Sequence, residues 1–547
     1  MADERLATRE IDWLKTFPWL RLFRTFLVAL DPFKLIVAAV GILTTALAWL
    51  IISLFFNNFF FVAKPKLTDF DPKSYQKDGV TDEEAIKKRN DDYSRRLNSW
   101  KLQYKLAGST AIEEYETVDG VKHTIKGGKY RIMPWFEDRG PNPVSMLKNT
   151  VTGSPNERNE TIGRFLQGQV FVLVEPLLKF LTPVSYLFDA QANTWTRLYL
   201  VVLLLVELAI WAFFGGIITR MAISTLAGKE TGGLRGAIDF VRKHYISYVS
   251  SPVVPIAGLF AIVIGCMVFG LFHLIPGIGD ILIDGLGWLI PLGAGFIMAL
   301  IVLGLVGYPL MYTTLSAEGS DTFDALSRSY NYVYESPWSY LWYSIISILY
   351  GAVLVFFVVV VTSLTVYLAN WGVSQTILTQ TTNREPQYLY TYAPTSFGWR
   401  QLLLEGTPLE TYNDVYVHKT AAEEYLKEYT WYNIAGAGMV SFWLTAVFML
   451  MLGFSYSYFW TASSMIYLLM RKKVDETEID EIHIDDADFE PQGAKVPPPS
   501  PTPAPEAVNS APVVQMVDPP TLRAVPPSDI KPIDPPPTSS TDPKPSV

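Results

Sequence analysis

The sequence predicts a mainly α fold: a polytopic helical membrane bundle of about six spans, with a candidate parallel internal repeat, a small α+β extracytoplasmic domain and a disordered tail. Three observations predict it. Six stretches of roughly twenty residues or more run almost without charge, the length a helix needs to cross a hydrocarbon core of about 30 Å. Half of the 547 residues are hydrophobic and 14% are aromatic. Mean hydropathy is +0.21 even though the C-terminal tail is strongly polar, so the rest of the chain is unusually apolar.

Residues 1–33 form a basic amphipathic segment. In it Leu6, Trp13, Leu14, Phe17, Leu20 and Phe23 alternate with Arg9, Lys15, Arg21 and Arg24. It reads as a helix lying in the headgroup plane or packed on the protein's own cytoplasmic face. The apolar run that follows is too long for a cleaved signal, and no small-residue cleavage pattern follows it. No charge occurs between Lys34 and Lys64, which sets the first span within 34–62.

Residues 63–196 are long enough for a small extracytoplasmic domain. Asp82 to Lys105 is charged and helix-like, and Tyr115 to Ile125 reads as a hairpin turning at Asp119-Gly120, a type I′ signal. Arg139 to Asn156 is rich in Gly, Pro and Asn and reads as a loop. Phe165 to Phe188 is apolar but carries Glu175, Pro176, Lys179 and Pro183, so it reads as an interfacial or broken helix rather than a seventh span.

Residues 197–371 hold four spans: Arg197 to Arg220, Pro252 to Ile275, Gly285 to about Met311, and Pro337 to about Trp371. A Tyr- and Thr-rich extracytoplasmic loop follows at 372–428, and the last span lies in 429–473, closing on Arg471-Lys472-Lys473. Residues 474–547 are acidic, then proline-rich (VPPPSPTPAPE, IDPPPT), a composition that cannot bury enough apolar surface to order itself. The positive-inside rule puts the N-terminal cations, the Arg220–Lys243 loop and the Arg471 cluster on one side, so both termini are expected in the cytoplasm.

Two loops in the four-span region look alike. DFVRKHYISYVSSP (Asp239 to Pro252) and DALSRSYNYVYESP (Asp324 to Pro337) match at Asp239 and Asp324, Lys243 and Arg328, Tyr245 and Tyr330, and Pro252 and Pro337. Each follows a Thr-Leu pair, and each proline suits the first turn of the next helix. Both copies lie on one side, so the repeat is parallel, with its axis along the membrane normal.

Three segments carry a family resemblance: GGIITR (Gly215 to Arg220), PWFEDRGPNP (Pro134 to Pro143) and SAEGSDTFDALSRSYNYVYESPWSYLWY (Ser316 to Tyr343). They resemble a family of uncharacterised multi-span proteins common in Planctomycetes, over most of the chain up to Lys473. The resemblance implies a bacterial inner membrane and brings no activity with it. A looser likeness links the repeat to the membrane domains beside glycerophosphodiester phosphodiesterases.

Glu207 is the ionisable residue inside a span. A carboxylate there costs roughly 3 kcal/mol or more unless paired or protonated. It therefore reads as a proton or cation relay or a substrate contact, or else as a protonated acid bonded to a Ser or Tyr of a neighbouring helix. Asp280, Asp284 and His273 suit a solvated turn better than a cation site. The stretch DEIHIDDAD (Asp480 to Asp488) supports only weak divalent binding.

No HExxH, P-loop, GxSxG or paired-glutamate pattern occurs, so no enzyme, metal centre or cofactor is expected. The net charge of −9 and the lack of a basic, aromatic-laced patch argue against nucleic acid. The single cysteine, Cys266, excludes an internal disulfide and reads as a small buried hydrophobe. The expected partners are the bilayer itself and proteins met by the tail and the outer domain. The expected role is a non-enzymatic scaffold or assembly protein; the alternative is a transporter of ions or small solutes using Glu207. A lipid-processing enzyme comes last.

Overall fold

Away from water every peptide group must bond within its own segment, and a helix is the form that achieves this over one apolar stretch. The computed structural model describes residues 13–70, 72–75, 81–152, 162–229, 232–277, 279, 281, 285–375, 386–405 and 430–483. Asp280, Asp284 and the proline-rich tail lie outside them.

The first elements among the described residues are α1 (Trp13–Thr16), a 3-10 turn at Pro18–Arg24 and α2 (Thr25–Ala29). The single amphipathic helix expected here is broken, because Pro18 cannot continue a helix begun before it. Leu22, Thr25 and Ala29 are buried against the bundle, whereas Trp13, Leu14 and Leu27 are exposed. Ser457 Oγ donates to the Ala29 carbonyl at 2.8 Å, and Phe23 meets Tyr350 edge-on at 4.7 Å. The second half of this segment is thus packed on the protein.

Next come α3 (Pro32–Phe59), α4 (Asp82–Ala107), β1 (Ile112–Glu116), β2 (Lys122–Lys126), α5 (Pro143–Thr152), α6 (Ile162–Leu173), α7 (Glu175–Leu187) and α8 (Thr194–Ala227). They are followed by α9 (Gly233–Leu271), α10 (Leu289–Leu305), α11 (Tyr308–Glu318), α12 (Thr322–Glu335), α13 (Pro337–Ser374), α14 (Trp399–Leu403) and α15 (Trp431–Val474). Six of these, α3, α8, α9, α10 (with the 3-10 turn Leu286–Trp288 before it), α13 and α15, are long and apolar enough to cross a membrane. At 44 residues α15 is about 66 Å long at 1.5 Å per residue, so part of it must stand outside any bilayer. The expected fourth span is shorter than read: it breaks at Val306–Gly307, and α11 carries the chain on as a separate buried helix.

α8 is the central helix, packed on α3, α7, α9, α11 and α15. Small residues permit these approaches. A Cβ on Gly215 would stand 2.9 Å from Trp460, and one on Gly453 would stand 2.7 Å from the Leu35 carbonyl oxygen. Trp460 stacks on Tyr312 at 5.2 Å. By contrast, the apolar windows of α9 and α10 are 6% and 0% buried, so this pair turns Phe260, Ile264, Met267 and Phe296 outward. Cys266 lies on α9 and is half-exposed, not buried as expected.

The hairpin forms with Ile112 opposite Lys126 and Glu116 opposite Lys122. Its turn is not type I′, which needs two positive φ values; here Gly120 (φ +73°) has one and Asp119 does not. The Gly120 amide donates to Thr117 O and the Thr117 amide to Val121 O, a longer loop closed by the glycine.

α6 and α7 meet at a bend of 79°. At 12 and 13 residues each arm is only about 18–20 Å long, too short to cross alone. The segments on either side return to one end of the bundle. Lys148 pairs with Glu405, Asn142 donates to the Phe397 carbonyl, and Gln103 donates to Thr196 at the start of α8. The pair is a broken helix, neither arm of which crosses by itself.

The two look-alike loops take different forms. The first merges into α9, so Pro252 lies inside a helix rather than at its first turn; the Ser251 hydroxyl donates to Tyr248 O, the carbonyl a proline at 252 leaves without its amide. The second is the separate α12, and Pro337 opens α13 as expected.

The stretch after Lys473 also departs from expectation. Through His483 it lies on the bundle, because cations from distant parts of the chain meet its acids and carbonyls. Tyr332 donates to Asp475, Lys472 pairs with Glu478 at 2.6 Å, and the His483 amide donates to Ala317 O at 2.7 Å.

Candidate functional site

Glu207 faces inward on α8 and is 3% exposed. Leu203, Leu204 and Leu208 are buried beside it, and no hydroxyl hydrogen-bonds to its carboxylate among the described residues; Oε2 has no partner at all. The bonded neutral acid expected on the structural reading is therefore not formed. One turn further on, Trp211 stacks on Tyr456 of α15 at 4.9 Å, and the Tyr456 hydroxyl donates to Glu175 Oε1 at 3.2 Å. Trp211, one turn from Glu207, thus leads through Tyr456 to a buried charge network.

That network is the main polar feature of this end of the bundle. Arg139 follows a 3-10 turn (Pro134–Phe136) whose proline fixes the first step. Its Nε and one terminal nitrogen donate to the two oxygens of Glu175, each at 3.0 Å. The same nitrogen reaches Glu137, and the other donates to the Pro134 carbonyl and, at 3.2 Å, to Ser396 Oγ. Lys179, one turn beyond Glu175 on α7, pairs with Glu175 at 2.7 Å and with Glu137 at 3.3 Å. Two cations thus face two anions, and the donors of Arg139 are satisfied, the condition under which buried ion pairs hold. Burial by itself would raise the Glu175 carboxyl, but Arg139 and Lys179 hold it well below the usual carboxylate range. Burial would likewise lower Arg139, and Glu175 and Glu137 outweigh it and raise the guanidinium.

A second polar group lies at the opposite end of α8, about 20 Å along the axis from Glu207 at 1.5 Å per residue. Arg220 is 1% exposed. Its guanidinium sits 3.9 Å from the centre of the Phe240 ring and donates to Ser316 O at 2.7 Å and His483 O at 2.9 Å. Tyr248, Ser316 and Thr219 join side chains through two hydroxyl contacts of 2.7 Å.

The repeat positions are spread rather than gathered. Asp239 and Lys243 are exposed, while Arg328 binds Asp324 at 3.0 Å and Glu318 at 3.0 Å. Tyr245 donates to Ala209 O on α8 and Tyr330 to Ile301 O on α10, both at 2.9 Å, each reaching the apolar helix that precedes its loop. Pro252 is buried and Pro337 exposed.

Reading the sequence alone missed Arg139 and took Glu175 and Lys179 only as interruptions. Their signal was present: an acid and a base one turn apart inside an apolar run is costly unless a partner waits elsewhere. No family model, no curated protein and no solved structure matches the chain.

Proposed function

We propose that this chain is a multi-pass inner-membrane protein that serves as a non-enzymatic scaffold, holding its polar domain in a fixed pose for partners. The observation that carries this is the Arg139 network. It ties the Pro134–Arg139 turn, α7, the Ser396 loop and α15 into one rigid joint. Such a joint suits presentation better than the rocking of halves that alternating access needs. Both termini lie in the cytoplasm on this reading, supported by the Arg220, Arg328 and Arg471 cations at the end opposite the hairpin. The paired bonds of Tyr245 and Tyr330 support a duplicated helix pair.

The second reading, a proton- or cation-coupled transporter, is favoured by the unpartnered carboxylate of Glu207. Glu207→Gln separates the two. A scaffold keeps its fold, its membrane location and its insensitivity to a proton gradient in liposomes; a transporter loses gradient-driven flux. Flux in the parent protein that Glu207→Gln abolishes would overturn the scaffold. Labelling single cysteines placed at Asp119 and at Ser546 from each face tests the topology, which fails if both react from one side.

A further inference from the structure

Beside the charge network lies a cavity of about 400 Å³ between α3, α4, α7 and the chain after β2. Its wall carries Lys105, Lys126, Lys129 and Lys179 against Glu137 and Asp138. Lys179 is committed to Glu137 and Glu175. Among the described residues no carboxylate pairs with Lys105, Lys126 or Lys129.

The backbone builds this arrangement. The amides of Lys129 and Tyr130 donate to the carbonyls of Lys105 and Leu106, each at 3.0 Å, which lays the strand exit along the end of α4. Lys105 and Lys129 then stand over the same ring, Tyr186, at 5.4 and 5.3 Å. Two ammonium groups thus flank one ring, with no carboxylate paired to either among the described residues.

Two further donors line the cavity. Tyr130 is 3% exposed and Trp49 is 6% exposed, yet the Tyr130 hydroxyl and the Trp49 indole N–H have no hydrogen-bond partner in the protein. Leaving a buried donor unsatisfied costs about 1–3 kcal/mol. The rings meet edge to face at 4.9 Å, and Lys179 Nζ lies 5.9 Å from the Trp49 ring. The cavity thus gathers positive charge and orphaned donors, with too few acceptors to match them.

We propose that this cavity binds a phosphate group, with Lys105, Lys126 and Lys129 neutralising it and Tyr130 and Trp49 donating to its oxygens. A phosphate supplies acceptors in several directions at once, which suits donors arriving from three chain segments. The phosphate belongs either to an anionic lipid or to a free ion reaching the same cavity. A basic pocket between helices fits the former chemistry.

The test uses the full-length protein in a neutral detergent. Dihexanoyl phosphatidylglycerol and inorganic phosphate are titrated separately, read by calorimetry and by the thermal midpoint. Saturable binding of either is expected. Phosphate that displaces the lipid assigns a free-ion site, and lipid binding that phosphate does not displace assigns a headgroup site; both uphold the proposal. Lys105→Gln with Lys129→Gln should weaken binding about tenfold or more, and Tyr130→Phe about threefold. Lys87→Gln with Lys88→Gln, on the exposed start of α4, should bind as the parent does. Absence of saturable binding by both probes, unchanged affinity in the cavity variants, or equal weakening by the Lys87/Lys88 pair would overturn it. Tyr130→Phe keeps the ring packed, so it decides the matter should the lysine double variant fail to fold.

Discussion

Arg139 grips both carboxylate oxygens of Glu175, and the two residues belong to segments that only the folded bundle brings together. Removing one partner strands the other in a buried site. Arg139→Ala should therefore cost about 3–5 kcal/mol. Replacing both, as Arg139→Met with Glu175→Met, should recover a large part of that loss, because the desolvation cost of both charges disappears as well. Unfolding titrations of the three proteins in mixed micelles measure the difference. A double variant as unstable as Arg139→Ala would show that the pair is not the source of the stability.

The same carboxylate sets a pH dependence. Arg139 and Lys179 depress the Glu175 titration in the folded state, outweighing burial. A depressed carboxylate contributes stability above its ordinary range, near 4.3 for Glu, and that contribution drains away as pH falls through the folded value. The thermal midpoint should hold steady from neutral pH to about pH 5 and fall below it. In Glu175→Gln the acid limb should be shallower. An identical limb in both proteins would assign the acid sensitivity to other groups.

The long helices were legible because their signal is local. The charge-free interval from Lys34 to Lys64 needs no knowledge of partners to be read as a span, and neither does Asp119-Gly120 as a turn. The turn's type was not legible, since it depends on Gly120 alone adopting a positive φ. The charge network was hidden for a different reason. Glu175 and Lys179 advertise a cost, but Arg139, which offsets it, lies in a distant loop, and no period in the sequence connects them. The acidic stretch Asp475 to His483 was misread on composition, because the cations that hold it belong to α8, α12 and α15. Pro252 was misplaced because a proline at a helix start and one inside a helix look the same until the preceding residues are known to be helical.

Close packing at Gly215 yields a third prediction. A Cβ there would meet Trp460 Cζ2 at 2.9 Å, and Trp460 is itself held by stacking on Tyr312. The indole cannot yield without disturbing that stack. Gly215→Ala should destabilise by about 1–3 kcal/mol, the usual range for overpacking. Gly258→Ala on α9 is the matched control: its Cβ meets nothing within 4 Å, so the change should be neutral or slightly stabilising through helix propensity. Equal losses at both glycines would mean that helix contact plays no part.

The hydroxyl chain at the other end of α8 gives the last prediction. Ser316 Oγ lies 2.7 Å from both Tyr248 Oη and Thr219 Oγ1, so one small side chain joins α9 to α8 through α11. Tyr248→Phe and Thr219→Val each remove one link while keeping nearly the same volume. Each should cost about 1 kcal/mol. If the two links polarise one another through Ser316, the double variant should lose less than the sum, with a coupling of about 0.5 kcal/mol or more. Ser316→Ala alone should approach the double variant, since it removes both links in one step. Additive losses, with Ser316→Ala near either single variant, would show that the hydroxyls act separately and that Ser316 does not couple the helices.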